Sequence, residues 1–109
     1  MDTTKHKWPD DADGDVLRRL EEKGFDFSKH YMVDFNIDFD QWPPIKEAMD
    51  VIRIAYPDAK IYGDGEEGYV LFKVNSLITY DFVVKTQAKA SSLVTQYGGR
   101  CESWGVLHK

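Results

Sequence analysis

Between His30 and Phe39 apolar and polar residues alternate: Val33, Phe35, Ile37 and Phe39 fall on one side, and Asp34, Asn36 and Asp38 on the other. Successive side chains of an extended chain point to opposite faces, so the pattern predicts a β-strand with one face in a core and one toward water or a partner. The period then changes. Trp42, Ile45, Met49, Ile52 and Tyr56 recur at steps of three and four, Pro43-Pro44 suits a first helical turn whose N–H groups need no partner, and Pro57 closes the run, so a helix is predicted. Lys60–Tyr62 and Tyr69–Val74 read as two strands joined by the loop Gly63 to Gly68. A second long helix is expected from Thr79, its cap, to Tyr97, with Phe82, Thr86, Ala90, Leu93 and Tyr97 on its stripe and Gly98-Gly99 as its end. Arg100 to Leu107 is the last predicted strand.

Ahead of this series, Asp13-Gly14-Asp15 offers side-chain oxygens to a helix start, Val16, Leu17 and Leu20 form a stripe, and Gly24 is a stop. Residues 1–12 are rich in charge and poor in apolar groups, and are expected to form a flexible segment without a folding role. The expectation is therefore a single α+β domain over 13–109. After its short N-terminal helix the order is β-α-β-β-α-β, and two such halves with right-handed crossovers make a ferredoxin-like sandwich: a four-stranded antiparallel sheet with two helices on one face.

Composition narrows the function. At 109 residues, with 42% hydrophobic and 14% aromatic residues, the chain can close one modest core without disulfides or metal. A lone cysteine, Cys101, allows no internal disulfide, and the first residues lack the apolar run of a signal peptide. No run of 18 apolar residues occurs, so no spanning helix is expected and a cytoplasmic location is the default. The net charge is −5 and the fourteen basic residues are scattered. Nucleic-acid binders draw affinity from neutralising phosphates, so direct nucleic-acid binding is disfavoured.

Three constellations with catalytic or ligand-binding associations read better as structure. Asp11-Ala12-Asp13-Gly14-Asp15 imitates the start of a calcium loop, with Glu22 at its twelfth position, yet Val16 stands where the turn needs glycine and Arg19 would bring a positive charge to the ion. Helix capping is the preferred reading. Cys101 has no His or Cys at ligand spacing, and His6, His30 and His108 lie in separate segments, so it is expected to be a packed thiol. The loop Gly63 to Gly68 carries three acidic groups and no Lys-Ser/Thr ending, which suits a turn and repels phosphate. No cofactor, metal or catalytic group is expected.

The polar side of the first strand is more informative. In the expected fold that strand is central, so Asp34, Asn36 and Asp38 share the uncovered face, with Lys73 beside them and able to pair with an aspartate. The same parity on the last strand would add Glu102 and Trp104, an aromatic anchor in an acidic rim that suits a protein partner. A second reading stands beside it with equal weight: the leading helix covers Trp104. RNA-recognition sheets display stacking aromatics and basic groups where this strand displays Asp34, Asn36 and Asp38.

The stretch Asp15-Val16-Leu17-Arg18-Arg19-Leu20, then Gly24, Asp26, Ser28-Lys29, Val33 and Phe35, resembles the opening of the regulator of ribonuclease E activity B (RraB-like) family. Tyr97-Gly98-Gly99, Glu102 and Trp104-Gly105 are similar to that family's closing glycine pair and its last strand. The resemblance covers about residues 13 to 106. It implies a ferredoxin-like sandwich that binds the endoribonuclease RNase E and lowers its activity by contact, without cleaving RNA. Two features depart from the family pattern: the sequence ends at Lys109 without the long acidic tail of the enterobacterial members, and Cys101-Glu102-Ser103 replaces Tyr-Asp-Gly before the tryptophan.

The reading is thus a non-catalytic regulator whose partner is a protein, RNase E or another component of RNA degradation, contacted through Asp34, Asn36, Asp38, Lys73, Glu102 and Trp104. The chain itself is expected to be a monomer or weak homodimer. The alternative is a small-ligand-binding or dimeric ferredoxin-like domain of unrelated role, which would need a pocket with convergent titratable groups.

Overall fold

The computed structural model of the chain describes residues 8–106. Helix α1 spans Ala12–Glu22, followed by β1 (His30–Phe39), α2 (Lys46–Ala55), β2 (Lys60–Gly63), β3 (Gly68–Leu77), α3 (Tyr80–Val94) and β4 (Gly99–Val106), with a 3-10 turn at Thr95–Tyr97 before β4. The four strands form one antiparallel sheet in the order β2-β3-β1-β4. This is the expected α+β ferredoxin-like arrangement with its additional N-terminal helix.

Alternation in β1 makes the core as anticipated. Val33, Phe35 and Ile37 are buried, and Phe35 meets Phe72 of β3 and Phe82 of α3 at ring-centroid distances of 5.3 and 5.7 Å. Tyr56, just past α2, stacks on the other side of Phe72 at 3.8 Å. Val70 and Phe72 supply the neighbouring strand, and α1 joins the helix layer by placing Leu17 and Leu20 in the same core. The opposite sheet face stays uncovered: Met32, Asp38, Lys73, Asn75 and Ser103 are all exposed.

Several elements differ in detail from the sequence expectation. Helix α2 begins at Lys46, later than expected, because the Trp42 indole leaves the stripe to donate to the Asp64 carbonyl across the β2–β3 loop, at 3.0 Å, and Ile45, now at the cap, is exposed. In α3 the buried stripe is Val83, Gln87, Ala90 and Val94: Ala90 is shared with the expected stripe, whereas Phe82, Thr86 and Leu93 are each half-buried one position before a buried residue. Thr79 does cap this helix, accepting from Phe82 N–H at 3.0 Å, and Gly98 ends the following turn with φ 75°, where an L side chain would be strained. Strand β3 runs on to Leu77, past the expected Val74.

The segment before α1 is also part of the fold in its described portion. Asp11, ahead of the expected Asp13, is the cap, accepting from Gly14 N–H at 2.8 Å. Trp8 packs against Phe27 at 5.6 Å, and the Trp8 and Pro9 carbonyls accept from the Arg18 guanidinium. The remainder of the expected flexible segment, residues 1–7, lies outside the described residues, as do His6, His108 and the Leu107 end of the last strand.

Candidate functional site

The uncovered face is a grid set by strand register. Asp34 lies opposite Lys73, Asn36 opposite Leu71, and Tyr62 opposite Tyr69. Lys73 Nζ reaches Asp34 Oδ1 at 3.8 Å, the pairing expected from the sequence. On the other flank Asp38 lies opposite Arg100 and Asn36 opposite Ser103, whose hydroxyl accepts from Asn36 Nδ2 at 3.1 Å.

The last strand departs from simple parity. Ile37 pairs with Cys101 but Asn36 pairs with Ser103, so Glu102 is the extra residue of a β-bulge. Both Glu102 and Ser103 therefore face outward, and every later side chain is turned over. Trp104 consequently lies opposite Phe35 on the helix side, 9% exposed, and its indole donates to Asp13 Oδ1 of α1 at 2.9 Å. Of the two readings held for Trp104, the structure has it covered, and the helix that covers it sits in the helix layer. Asp34, Asn36, Asp38, Lys73 and Glu102 are brought together on one face, and Trp104 is not among them.

Charge on this face is mixed, where the sequence suggested an acidic rim. Neighbouring strands set Lys73 opposite Asp34 and Arg100 opposite Asp38, Arg100 also lies beside Glu102 of its own strand, and Lys60 adds a further base opposite Leu71. Arg100 bonds Asp40 at 2.8 Å and lies 3.4 Å from Glu102, and the Asp40 hydrogen bond, followed by its charge, raises the guanidinium pKa further. Apolar content comes from residues the sequence reading passed over: Tyr62 and Tyr69, stacked at 5.6 Å, and exposed Met32 and Leu77. A signal for the tyrosines was present, since they sit symmetrically about the Gly63–Gly68 loop and a hairpin must pair them.

The groups weighed for metal or nucleophilic chemistry are engaged elsewhere. Asp13 accepts from Trp104 and also from Gln87 Nε2 at 3.1 Å, Asp15 pairs with Arg18, and the Tyr80 hydroxyl bond, then the Gly14 N–H, lowers the Asp11 pKa. Burial first, then the charge of Asp38, pushes the Cys101 thiol up to about 12, which removes the thiolate needed for nucleophilic attack at neutral pH. In the β2–β3 loop Asp64 accepts from the N–H groups of Glu67 and Glu66, which lower its pKa in that order. A cavity of about 270 Å³ is lined by Ala12, Asp13, Val84, Gln87, Cys101 and Glu102. It is smaller than the roughly 300–1,000 Å³ usual for ligand clefts, and two of its polar groups, Asp13 and Gln87, bond each other.

Residues 10–106 match the family model described as Regulator of ribonuclease activity B. The chain belongs to that family. Its members are non-catalytic regulators, and membership implies regulation of RNase E activity through protein contact. No curated protein matches the chain. Among the described residues no helix is long and apolar enough to cross a membrane. The family match spans all seven helices and strands, so the uncovered face and the bulged β4 both lie within it.

Proposed function

We propose that the chain binds RNase E in the cytoplasm through the uncovered sheet face and lowers its activity by occupying a surface the enzyme needs. The observation that carries this is that the helix layer is complete without covering that face, which leaves the Asp34–Lys73 pair and the stacked Tyr62 and Tyr69 on it. Aromatic area ringed by charged groups is the composition of protein-binding surfaces, and the interleaved signs favour a partner of mixed charge over a phosphate backbone. Asp34, Asn36, Asp38, Lys73 and Glu102 are its polar contacts, with Tyr62 and Tyr69 as anchors. Trp104 acts from beneath, holding β4 and α1 together.

The test is a pull-down of purified RNase E on the tagged chain, with a cleavage assay alongside. Wild type is expected to retain and inhibit the enzyme. Changing Asp34, Asn36 and Asp38 together to Ala should leave the circular dichroism unchanged and abolish retention. Retention by the triple variant overturns the choice of face, and lack of retention by wild type overturns the function.

A further inference from the structure

The two outer edges of the sheet are finished differently. At β4 the bulge at Glu102 interrupts the ladder, and the Ser91 hydroxyl on α3 accepts from Cys101 N–H at 2.9 Å and donates to the Cys101 carbonyl at 3.3 Å. That edge is bent and clasped. At the other side β2 covers only part of β3: Lys60 to Gly63 pair with Leu71 to Gly68, whereas β3 continues to Leu77 beside β1 alone. Ala59, buried at the head of β2, and Tyr56, stacked on Phe72, close the next position. What remains is the run Lys73 to Leu77, with Lys73, Asn75 and Leu77 exposed and Val74 and Ser76 half-buried. Alternate backbone groups of this run point away from β1 and, among the described residues, meet no strand on that side.

We propose that this run pairs with the same run of a second copy of the chain, antiparallel across a two-fold axis at Asn75. The step in the sheet is self-complementary. With Asn75 facing its counterpart, Lys73 lies opposite Leu77 of the second copy and Val74 opposite Ser76. The incoming strand therefore ends at the position just before that of Ala59 and Lys60, where β2 takes over, and by symmetry the second copy's β2 clears the first copy's β3 in the same way. No like charges meet, because Lys73 is the one charged residue of the run and its ammonium leans toward Asp34. The contact is isologous, and once the two steps interlock β2 blocks any third strand, so pairing closes at a dimer and cannot extend to a fibre. A ladder this short buries much less than the about 1,600 Å² of a standard interface, so the dimer is weak and concentration-dependent. The contact lies at the edge, shares only the backbone of Lys73 with the proposed RNase E site and leaves Asp34, Asn36 and Asp38 uncovered, so it stands or falls independently of that site.

The experiment is analytical ultracentrifugation of the full chain from micromolar to millimolar concentration, with backbone hydrogen exchange at both ends of the range. Mass should rise toward a dimer, and amides within 73–77 should slow in step with it while those of β2 and β4 do not. Asn75→Lys, an exposed change, places like charges across the axis and should weaken association about tenfold with the circular dichroism unchanged. A monomer at millimolar concentration, slowed amides on another surface, or a folded Asn75→Lys that associates like wild type would each overturn the proposal.

Discussion

One oxygen of Asp13 accepts from both the Trp104 indole and the Gln87 amide, so a single carboxylate ties α1 to β4 and α3. Removing it leaves the Trp104 N–H and one Gln87 N–H without their acceptor, while Gln87 keeps the Val83 carbonyl, and Asp13→Ala is expected to cost about 1–3 kcal/mol by urea denaturation. Asp15, two residues away and half-exposed with only the Arg18 ion pair, should cost less than about 0.5 kcal/mol as Asp15→Ala. Cys101 offers a pH test. Its folded pKa is raised from 9.0 to about 12, so the folded chain keeps a proton that the unfolded chain loses above pH 9. Stability from this group is fully present below pH 9 and is lost as pH rises from there toward 12. Tyr56, raised by its own burial and then by Cys101, adds loss of the same sign only above its usual 10.0. Between pH 9 and 10 the denaturation midpoint should therefore fall in wild type and stay nearly level in Cys101→Ala. The packed Cys101 thiol was expected from the residues, but the Asp13 node was not legible, since Asp13 stood in the sequence as one of several possible caps and its partners are 74 and 91 positions away.

At the scale of elements, the sequence carried most of the plan wherever one period held without interruption. Alternation gave β1 its bounds and both its faces, and the strand order it implies was enough to set Lys73 beside an aspartate, which the structure shows to be Asp34. It failed where a local event shifts the phase. In α3 the stripes share Ala90, but Gln87, polar in composition, takes the place expected of Thr86 because it is buried through bonds to Asp13 and the Val83 carbonyl. In α2 the first turn was lost to a tryptophan that serves a distant loop. At β4 a bulge inverted the expected side of Trp104, and nothing in Cys101-Glu102-Ser103 announces a bulge. The clasp by Ser91 was equally silent, and it can be tested: Ser91→Ala leaves Cys101 N–H without its partner, should cost about 1–2 kcal/mol, and should speed exchange of that amide ahead of the rest of β4.

For the molecule as a whole, charge had excluded more than it identified. A net −5 argues against a direct grip on RNA, and the interleaved acids and bases of the open face agree, so the chain should not retard RNA in gels even at low salt. Retardation that weakens steeply with added salt would contradict the reading. What composition could not supply was how those charges are distributed: Asp34 and Asp38 come to lie opposite Lys73 and Arg100 only once the strand order is known.

The bulge in β4 also singles out one position for length variation. Without Glu102, Cys101, Ser103 and Trp104 would succeed one another opposite Ile37, Asn36 and Phe35, in regular alternation and with each side chain on its present side. The shortened chain should fold and keep its indole fluorescence blue-shifted, whereas excising Ser103 instead would remove the hydroxyl that holds Asn36. Protein engineers seeking to trim this scaffold, or relatives that differ from it by one residue in this strand, have in the bulge a place where a codon can be dropped without turning over the remainder of the strand.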